Sequence, residues 1–150
     1  MSLRVPPVLM VVICSAVSWG LALLLPAMNF EGSWRFICAL CFLLVAFVIL
    51  VVAVRSFVLA RTTVNPLTPN DTQNLVTTGL YHYSRNPMYV AMASILIGLA
   101  FIIGNIASFA GVALFCWAIT NFQIKPEERI LQEQFGQAFL DYRRKKRRWI

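Results

Sequence analysis

Three long stretches of this chain contain no charged side chain, and they restrict the possible folds more than any other feature. Residues 5–30, 36–54 and 86–124 hold no Asp, Glu, Lys or Arg. A helix of about 20 apolar residues crosses a hydrocarbon core roughly 30 Å thick, so each stretch can span a bilayer at least once. Only 13% of the residues are charged, about half the fraction usual in soluble globular proteins. The sequence therefore predicts an all-α integral membrane protein with a single domain over residues 1–150.

Turn-forming residues divide the uncharged stretches into about four predicted transmembrane helices. Pro26 ends the first helix, and Arg55 marks the exit of the second. Gly104-Asn105 lies near the middle of the third stretch and has the chemistry of a turn, which predicts a C-terminal helical hairpin. Because its two helices are short for full crossings, a tilted or shallow hairpin is an open alternative. The predicted spans are residues 7–25, 34–54, 87–103 and 106–122.

The distribution of basic residues predicts the orientation in the membrane. Basic residues concentrate in the loops of membrane proteins that face the cytoplasm. With four crossings, only Arg35, accompanied by Glu31, falls on the side opposite the other basic residues. Both termini are therefore predicted to be cytoplasmic. The basic residues on that side include Arg4, Arg55, Arg61, Arg85, Lys125 and the run over 143–148.

Two polar segments on the predicted cytoplasmic side, residues 61–89 and 125–143, hold the candidate functional residues. In the first, Asn86 and Pro87 are typical of a helix start, where unpaired N–H groups and the helix dipole favour an anion. Arg85 adds a guanidinium that can bind a carboxylate or phosphate through two hydrogen bonds. An ordinary alternative is a capped helix whose Tyr and Arg side chains anchor it among the lipid headgroups. Aromatic faces that could stack on a base come from Tyr81, Tyr83 and Tyr89.

In the second segment, a predicted helix start at Pro126 brings two carboxylates. Acidic residues are common in a first helical turn, which would account for both Glu127 and Glu128. On a helical wheel, however, both lie beside the apolar stripe of the predicted amphipathic helix over 126–150, not opposite it. A carboxylate on the packed side of a helix at a membrane surface indicates a partner, either Arg85 or a hydroxyl or amine of a ligand. The stripe consists of Leu131, Phe135, Ala138 and Tyr142.

The cysteines, the histidine and the basic run do not favour metal or nucleic-acid chemistry. Cys38 and Cys41 form a C-x-x-C pair inside an apolar helix, where they are interpreted as small buried side chains. His82 is the only histidine and is predicted to lie at the surface, so no metal site is predicted. The six consecutive cations over 143–148 follow an amphipathic helix, which favours attraction to anionic headgroups over binding of nucleic acid.

Several short motifs of the second half follow one another around the predicted hairpin. In this order and spacing they resemble the isoprenylcysteine carboxyl methyltransferase family of membrane methyltransferases, which includes phospholipid methyltransferase-like proteins. The resemblance covers about residues 61–150, and the first two spans match only as apolar segments. The motifs are Thr62-Thr63-Val64-Asn65-Pro66, Gly79-Leu80-Tyr81, Ser84-Arg85-Asn86-Pro87-Met88-Tyr89, and Glu127-Glu128 followed by Leu131, Phe135-Gly136 and Tyr142.

The resemblance implies a compact transmembrane bundle with a binding site for S-adenosylmethionine at the cytoplasmic face. It places Arg85 and Glu128 nearest catalysis, and it implies methyl transfer to a lipophilic acceptor, such as a lipidated cysteine, a phospholipid amine, or a small hydrophobic thiol or acid. Many members have His where this chain has Asn86, which can form hydrogen bonds but cannot act as a base. The residues implied in cofactor binding are Gly79, Tyr81, Asn86, Pro87, Tyr89, Glu127 and Glu128.

Two other functions remain open at this point. A non-catalytic lipid-binding or membrane-assembly protein could keep the same fold and tolerate the loss of Arg85 and Glu128. A sterol-reductase-like membrane enzyme has a similar helical layout, but it needs a nicotinamide site, and the sequence has no Gly-rich phosphate-binding loop.

Overall fold

The computed structural model describes residues 6–59 and 75–150, and these ranges contain six α-helices. The predicted all-α membrane bundle is confirmed. Arg4, Arg61 and the predicted motif over 62–66 lie outside the described residues. The helices are α1 (Pro7–Leu24), α2 (Trp34–Leu59), α3 (Pro87–Ile103), α4 (Phe109–Ile119), α5 (Lys125–Phe135) and α6 (Gln137–Lys145).

Three helical stretches of the described chain are long and apolar enough to cross a membrane: Pro7–Leu24, Trp34–Ser56 and Ile106–Phe135. Helix α3 is equally apolar but has only 17 residues. Helix α2 continues through the exposed Arg55 to Leu59, beyond the predicted end of the second span. The first charged residue marks the end of the apolar run, but a helix does not have to end there, because arginine is a good helix former.

Helix α3 lies at the centre of the bundle, packed against α2 along most of its length and also against α1 and α4. Its contact with α2 is close because small residues line the interface, as is common between membrane helices. A Cβ atom on Gly98 of α3 would lie 3.2 Å from the carbonyl oxygen of Ala39, so the two backbones nearly touch. Small residues spaced seven apart keep this contact on one face of α2, and they are Ala39, Ala46 and Ala53.

The predicted turn of the hairpin is present at Gly104-Asn105. Gly104 ends α3 in the left-handed conformation, with φ of 73°, and it accepts a hydrogen bond from the backbone N–H of Phe30. The fully buried Asn105 side chain donates to the carbonyl oxygen of Leu25 and to Asn29 Oδ1, over 2.9 Å and 2.6 Å. These contacts join this end of the hairpin to the loop that follows α1.

The C-terminal region differs from the single amphipathic helix predicted over 126–150. Gly136 ends α5 with a φ of 51°, a conformation that side chains other than glycine rarely adopt, and α6 starts in a new direction. The predicted stripe is therefore wrong at Ala138, which is exposed while Phe139 is buried instead, although Tyr142 is buried as predicted. Residues 146–150 leave the helix and return to the segment that precedes α3, where Ser84 pairs with Arg147.

Candidate active site

Glu128 lies at the centre of a buried charged cluster at the start of α5. Its side chain is only 10% exposed, and its Oε1 is 3.0 Å from Nη1 of Arg85. The guanidinium of Arg148 donates to both carboxylate oxygens, from Nε to Oε1 over 3.0 Å and from Nη2 to Oε2 over 2.9 Å. The structure thus brings together the two residues that the family resemblance places nearest catalysis, and Glu128 lies on the packed side of its helix, as the helical wheel predicted.

A π-helical turn over Thr120–Ile124 sets the direction in which α5 faces. A π turn holds more residues than an α-helical turn, so it shifts the register of everything that follows relative to α4, and such turns are frequent at functional sites. The turn buries the Gln123 side chain, which is 2% exposed, and α5 continues from it without a break. Glu128 reaches the interior of the bundle from the first turn of that helix.

Arg85 has more hydrogen-bond donors than the described part of the chain satisfies. Its side chain is 9% exposed, and Nε and Nη1 are buried without a hydrogen-bond partner among the described residues. Nη1 is at ion-pair distance from Glu128, but the geometry is not that of a hydrogen bond. Burial lowers the pKa of the Arg85 guanidinium and Glu128 opposes that effect. Arginine remains protonated in proteins, so the site keeps a buried cation with unused donors.

Arg148 has a role that the sequence did not predict. The basic run over 143–148 was predicted to face lipid headgroups, yet the Arg148 side chain turns inward to Glu128. The hydrogen bonds to that carboxylate raise the pKa of Arg148. Its neighbours Arg143, Arg144 and Arg147 are exposed and remain available to a charged surface.

Asn86 connects the returning C-terminal segment to the start of α3. It occupies the N-cap position, as predicted, but its side chain forms no capping hydrogen bond. Instead, Nδ2 donates to the backbone carbonyl oxygen of Arg148 over 2.9 Å. Pro87 is buried at the first position of α3, where its missing N–H is no cost.

The second predicted carboxylate, Glu127, is fixed by a different set of partners. Its Oε1 accepts hydrogen bonds from the Tyr89 hydroxyl and from Gln123 Nε2, both over 2.9 Å. Tyr89 is 6% exposed, so this contact lies inside the bundle near the start of α3. Two residues predicted to bind the cofactor, Tyr89 and Glu127, are therefore in direct contact.

Tyr81 and Gly79 lie in the turn that precedes α3, against α2. The Tyr81 ring is 7% exposed and packs in an apolar cluster with Ala53, so its surroundings are not those of an open stacking surface. Its backbone carbonyl accepts a hydrogen bond from the Tyr142 hydroxyl over 2.7 Å, and burial raises the pKa of Tyr142 to about 12. Gly79 has φ of 62°, and a Cβ atom there would lie 2.8 Å from Ser56 Oγ. Both features require glycine at this turn.

The residues with metal- or redox-type chemistry lie apart from this cluster. His82 is exposed, and the Lys146 ammonium is 3.1 Å from its Nε2. No group of three metal-ligating side chains occurs within residues 6–59 and 75–150. Cys41 is exposed and Cys38 is half-buried, so the prediction that both are buried is wrong. The helix that carries them packs through its alanine stripe, and Cys41 lies off that stripe.

Comparison with known proteins identifies the family. A sequence profile of the phospholipid methyltransferase family matches residues 34–138, which is most of the chain. The chain belongs to the phospholipid methyltransferase family. The predicted resemblance is confirmed, and the prediction of a methyltransferase is confirmed at the level of the family. The matched range includes Arg85 and Glu128 and ends before Arg148.

Individual relatives support the same assignment over shorter segments. The protein-S-isoprenylcysteine O-methyltransferase of Schizosaccharomyces pombe is 35% identical over 71 residues, which are 47% of this chain and 30% of that protein. The Xenopus laevis protein of the same name is 33% identical over 76 residues, 51% of this chain and 26% of that protein. An uncharacterized protein of Haemophilus influenzae is 36% identical over 63 residues, 42% of this chain and all of that protein. The chain thus spans less than a third of the two methyltransferases. No solved structure matches it.

Sequence reasoning found the two residues at the centre of the cluster but missed several that hold them. Arg148 was assigned to the lipid surface, and Gln123 was not considered. Tyr142 was assigned to an apolar stripe, although its hydroxyl makes a specific hydrogen bond. The sequence offered one signal for Arg148, because a buried carboxylate needs a cation to compensate its charge. That requirement does not show which of the six adjacent cations binds Glu128.

Proposed function

We propose that this protein transfers a methyl group from S-adenosylmethionine to a lipophilic acceptor at the cytoplasmic face of a membrane. The buried cluster of Arg85, Glu128 and Arg148, in a chain of the phospholipid methyltransferase family, carries this proposal. Buried ionisable groups at the edge of a membrane bundle are costly and often mark binding or catalytic sites. Four crossings with both termini in the cytoplasm are part of the proposal.

The donors and acceptors of the cluster and of the neighbouring Glu127 fit this cofactor. S-adenosylmethionine carries a carboxylate, an ammonium group and ribose hydroxyls. The two unpartnered buried N–H groups of Arg85 suit a carboxylate. Glu127 and Glu128 supply acceptor oxygens for an ammonium or hydroxyl group, since an ionised carboxylate accepts at about four positions. These three residues would hold the cofactor, which would supply the methyl group.

The residues of the chain contribute by positioning and by excluding water. Displacement at a methyl group requires the acceptor to be in line with the bond that breaks, so correct positioning supplies much of the rate. Each carboxylate is fixed by at least two partners, Glu128 by Arg85 and Arg148, and Glu127 by Tyr89 and Gln123. Burial of these groups strengthens their electrostatic interactions because little water is left to screen them.

The acceptor is proposed to be lipophilic and to approach from the bilayer. Helices α1 and α2 expose mainly apolar side chains, which suits contact with lipid on the way to the site. The family is named for phospholipids, and the two named relatives for isoprenylcysteine, so the candidate acceptors are a lipid amine, a lipidated cysteine and a small hydrophobic thiol or acid. A carboxylate or thiolate acceptor needs no general base, which agrees with Asn86 beside the cluster.

Calorimetric titration tests the proposal. Detergent-purified protein is titrated with S-adenosylmethionine and with its demethylated product, S-adenosylhomocysteine. We expect saturable binding of both, and loss of that binding in Glu128→Gln. The matched control is Glu133→Gln, which removes the same charge from an exposed position of the same helix and should bind as the wild type does.

The opposite outcome is equally informative. Wild-type protein that is monodisperse and fully helical but binds neither compound would overturn the proposal. It would favour a non-catalytic lipid-binding or membrane-assembly role instead. Equal binding by Glu128→Gln and the wild type would support binding of the cofactor but would show that the charged cluster is not part of the binding site.

A further inference from the structure

The segment over 146–150 is held against the site partly by its backbone. The carbonyl oxygen of Arg147 accepts a hydrogen bond from the backbone N–H of Arg85 over 3.0 Å. The carbonyl oxygen of Arg148 accepts one from the Asn86 side chain over 2.9 Å. Both hydrogen bonds involve main-chain atoms of the segment, so they do not depend on which side chains it carries. The Trp149 side chain adds to this docking, because it packs against the apolar core and its indole N–H donates to Thr120 Oγ1 over 3.3 Å. These contacts on either side of Arg148 present its side chain to the interior.

Within the cluster, the two guanidinium groups are bound to the carboxylate in different ways. Arg148 forms a two-hydrogen-bond fork with Glu128, so each oxygen of the carboxylate accepts one hydrogen bond from Arg148. Arg85 lies at ion-pair distance from the same carboxylate, yet its Nε and Nη1 form no hydrogen bond with any described residue. Arg148 neutralises the carboxylate, whereas Arg85 still has N–H donors that can form hydrogen bonds with a ligand. The cluster carries one more positive than negative charge.

We propose that Arg148 is a positioning residue that keeps Arg85 available to an anionic ligand. By holding both oxygens of Glu128, Arg148 fixes that carboxylate in an orientation in which it does not form a fork with Arg85. Arg85 can then bind the carboxylate of the cofactor or of the acceptor. This inference rests on the proposed function, and it adds a residue outside the range that matches the family.

The proposal predicts a specific defect when Arg148 is removed. Glu128 would lose its fork and turn to Arg85, its remaining cation at 3.0 Å. The excess positive charge would disappear, and the free donors of Arg85 would be used internally. Binding of ligands with a carboxylate should weaken by about tenfold or more, the range expected for loss of a charge-assisted hydrogen bond. Binding of matched ligands that lack the carboxylate should not change.

Two pairs of ligands measure this defect and identify the source of the anion. The first pair is S-adenosylhomocysteine and 5′-methylthioadenosine, which lacks the amino acid part. The second pair is an N-acetyl-S-isoprenylcysteine and its methyl ester, each titrated in the presence of saturating S-adenosylhomocysteine. In Arg148→Gln, we expect one carboxylate ligand to lose affinity while its uncharged counterpart keeps it. The pair that responds shows whether Arg85 holds the cofactor or the acceptor.

The control variant is Arg147→Gln. It removes the same charge from the adjacent position, where the side chain is exposed and does not contact Glu128. All four ligands should bind it within about twofold of wild type, as expected for an exposed charge. Arg148→Lys provides a second variant that keeps the charge but not the fork, and an intermediate loss of carboxylate affinity is expected.

Three other outcomes would count against the proposal. If Arg148→Gln and Arg147→Gln bind every ligand equally, Arg148 has no positioning role, and the proposed function stands. If Arg148→Gln loses both members of a pair equally while remaining fully helical, its role is structural. If the wild-type protein binds no member of either pair, the proposed function fails and this inference fails with it.

Discussion

Both ends of the bundle are held together by buried polar groups, but within residues 6–59 and 75–150 only one end has buried side-chain donors without a hydrogen-bond partner. At the Gly104-Asn105 turn, the Asn105 amide donates twice and its oxygen accepts from the N–H of Ala107 over 2.8 Å. At the opposite end, Arg85 keeps two buried nitrogen atoms without a hydrogen-bond partner in the described chain. The first cluster is neutral and saturated, whereas the second is charged and unsaturated.

This is the difference expected between a structural cluster and a cluster that binds a ligand. A saturated buried group stabilises the fold at little cost, because every polar atom that loses water gains a partner. A buried charged group with unsatisfied hydrogen-bond donors lowers stability until a ligand or another polar group binds those donors. Variants of the Asn105 cluster should therefore change the free energy of unfolding only, and variants of the Arg85 cluster should also change ligand affinity.

The largest effect on stability is expected for Glu128→Gln. It removes the only negative charge of the cluster and leaves two guanidinium groups facing each other, one of them with a side chain only 9% exposed. Breaking a buried ion pair from one side costs about 3–5 kcal/mol. Denaturant unfolding in detergent would measure the loss. An unchanged free energy of unfolding would show that water reaches the cluster and screens it.

Asn105→Ala is the corresponding test at the other end. It removes three hydrogen bonds, each worth about 0.5–1.5 kcal/mol, and leaves the Ala107 N–H without its present partner at a cost of about 1–3 kcal/mol. The Leu25 carbonyl keeps its hydrogen bond from the N–H of Met28. We expect unfolding at lower denaturant and no change in affinity for S-adenosylhomocysteine per folded molecule. Asn121→Ala, which removes two exposed hydrogen bonds along one helical stretch, is the control. Weaker ligand binding in Asn105→Ala would contradict the separation of the two clusters.

Tyr89→Phe should have a smaller effect. The substitution removes one hydrogen bond to Glu127, which still keeps Gln123 as a partner. The loss should be about 1.5–3 kcal/mol in stability, the usual range for a hydrogen bond to a charged group. Tyr83→Phe is the matched control, because that side chain is 75% exposed. If Tyr89→Phe and Tyr83→Phe had the same free energy of unfolding, the hydrogen bond between Tyr89 and Glu127 would not contribute to stability.

The smallest effect is expected at Arg144. Its ion pair with Asp141 has a separation of 3.9 Å, and the two side chains are 77% and 52% exposed. Such pairs contribute about 0–1 kcal/mol, so Arg144→Gln should unfold almost as the wild type does. Comparison with the unfolding of Arg148→Gln would show whether burial or charge determines how much a residue of the basic run contributes to stability.

The sequence predicted the elements of the fold whose cause is local. Absence of charge predicted the apolar helices, and the turn chemistry of Gly104-Asn105 predicted the hairpin that the structure contains. The helical wheel predicted that Glu128 faces inward, since side-chain direction within one helix depends only on spacing. The position of Gly136 also had a local signal, but helical periodicity on both sides of it concealed the break.

The features that sequence analysis missed depend on contacts between distant parts of the chain. The segment that carries Arg147 docks beside Arg85, more than sixty positions earlier in the chain, and no periodic pattern encodes such a pairing. Arg148 is one of six adjacent cations that are chemically nearly identical. Only the bend after α6 determines which of them turns inward. The roles assigned to Arg85, Glu128 and the proposed cofactor residues remain predictions.

The docking of residues 146–150 also determines the order in which the molecule comes apart. The segment and α6 are attached to the rest by a few hydrogen bonds, by the ion pair of Arg148 with Glu128, and by the side chains of Phe139, Tyr142 and Trp149. Units with so few buried contacts open at a lower free energy than the packed helices beneath them. Partial unfolding would therefore separate Arg148 from Glu128 while the apolar helices stay in the bilayer. Under mild denaturation, the protein would lose the proposed site before it loses its helical structure.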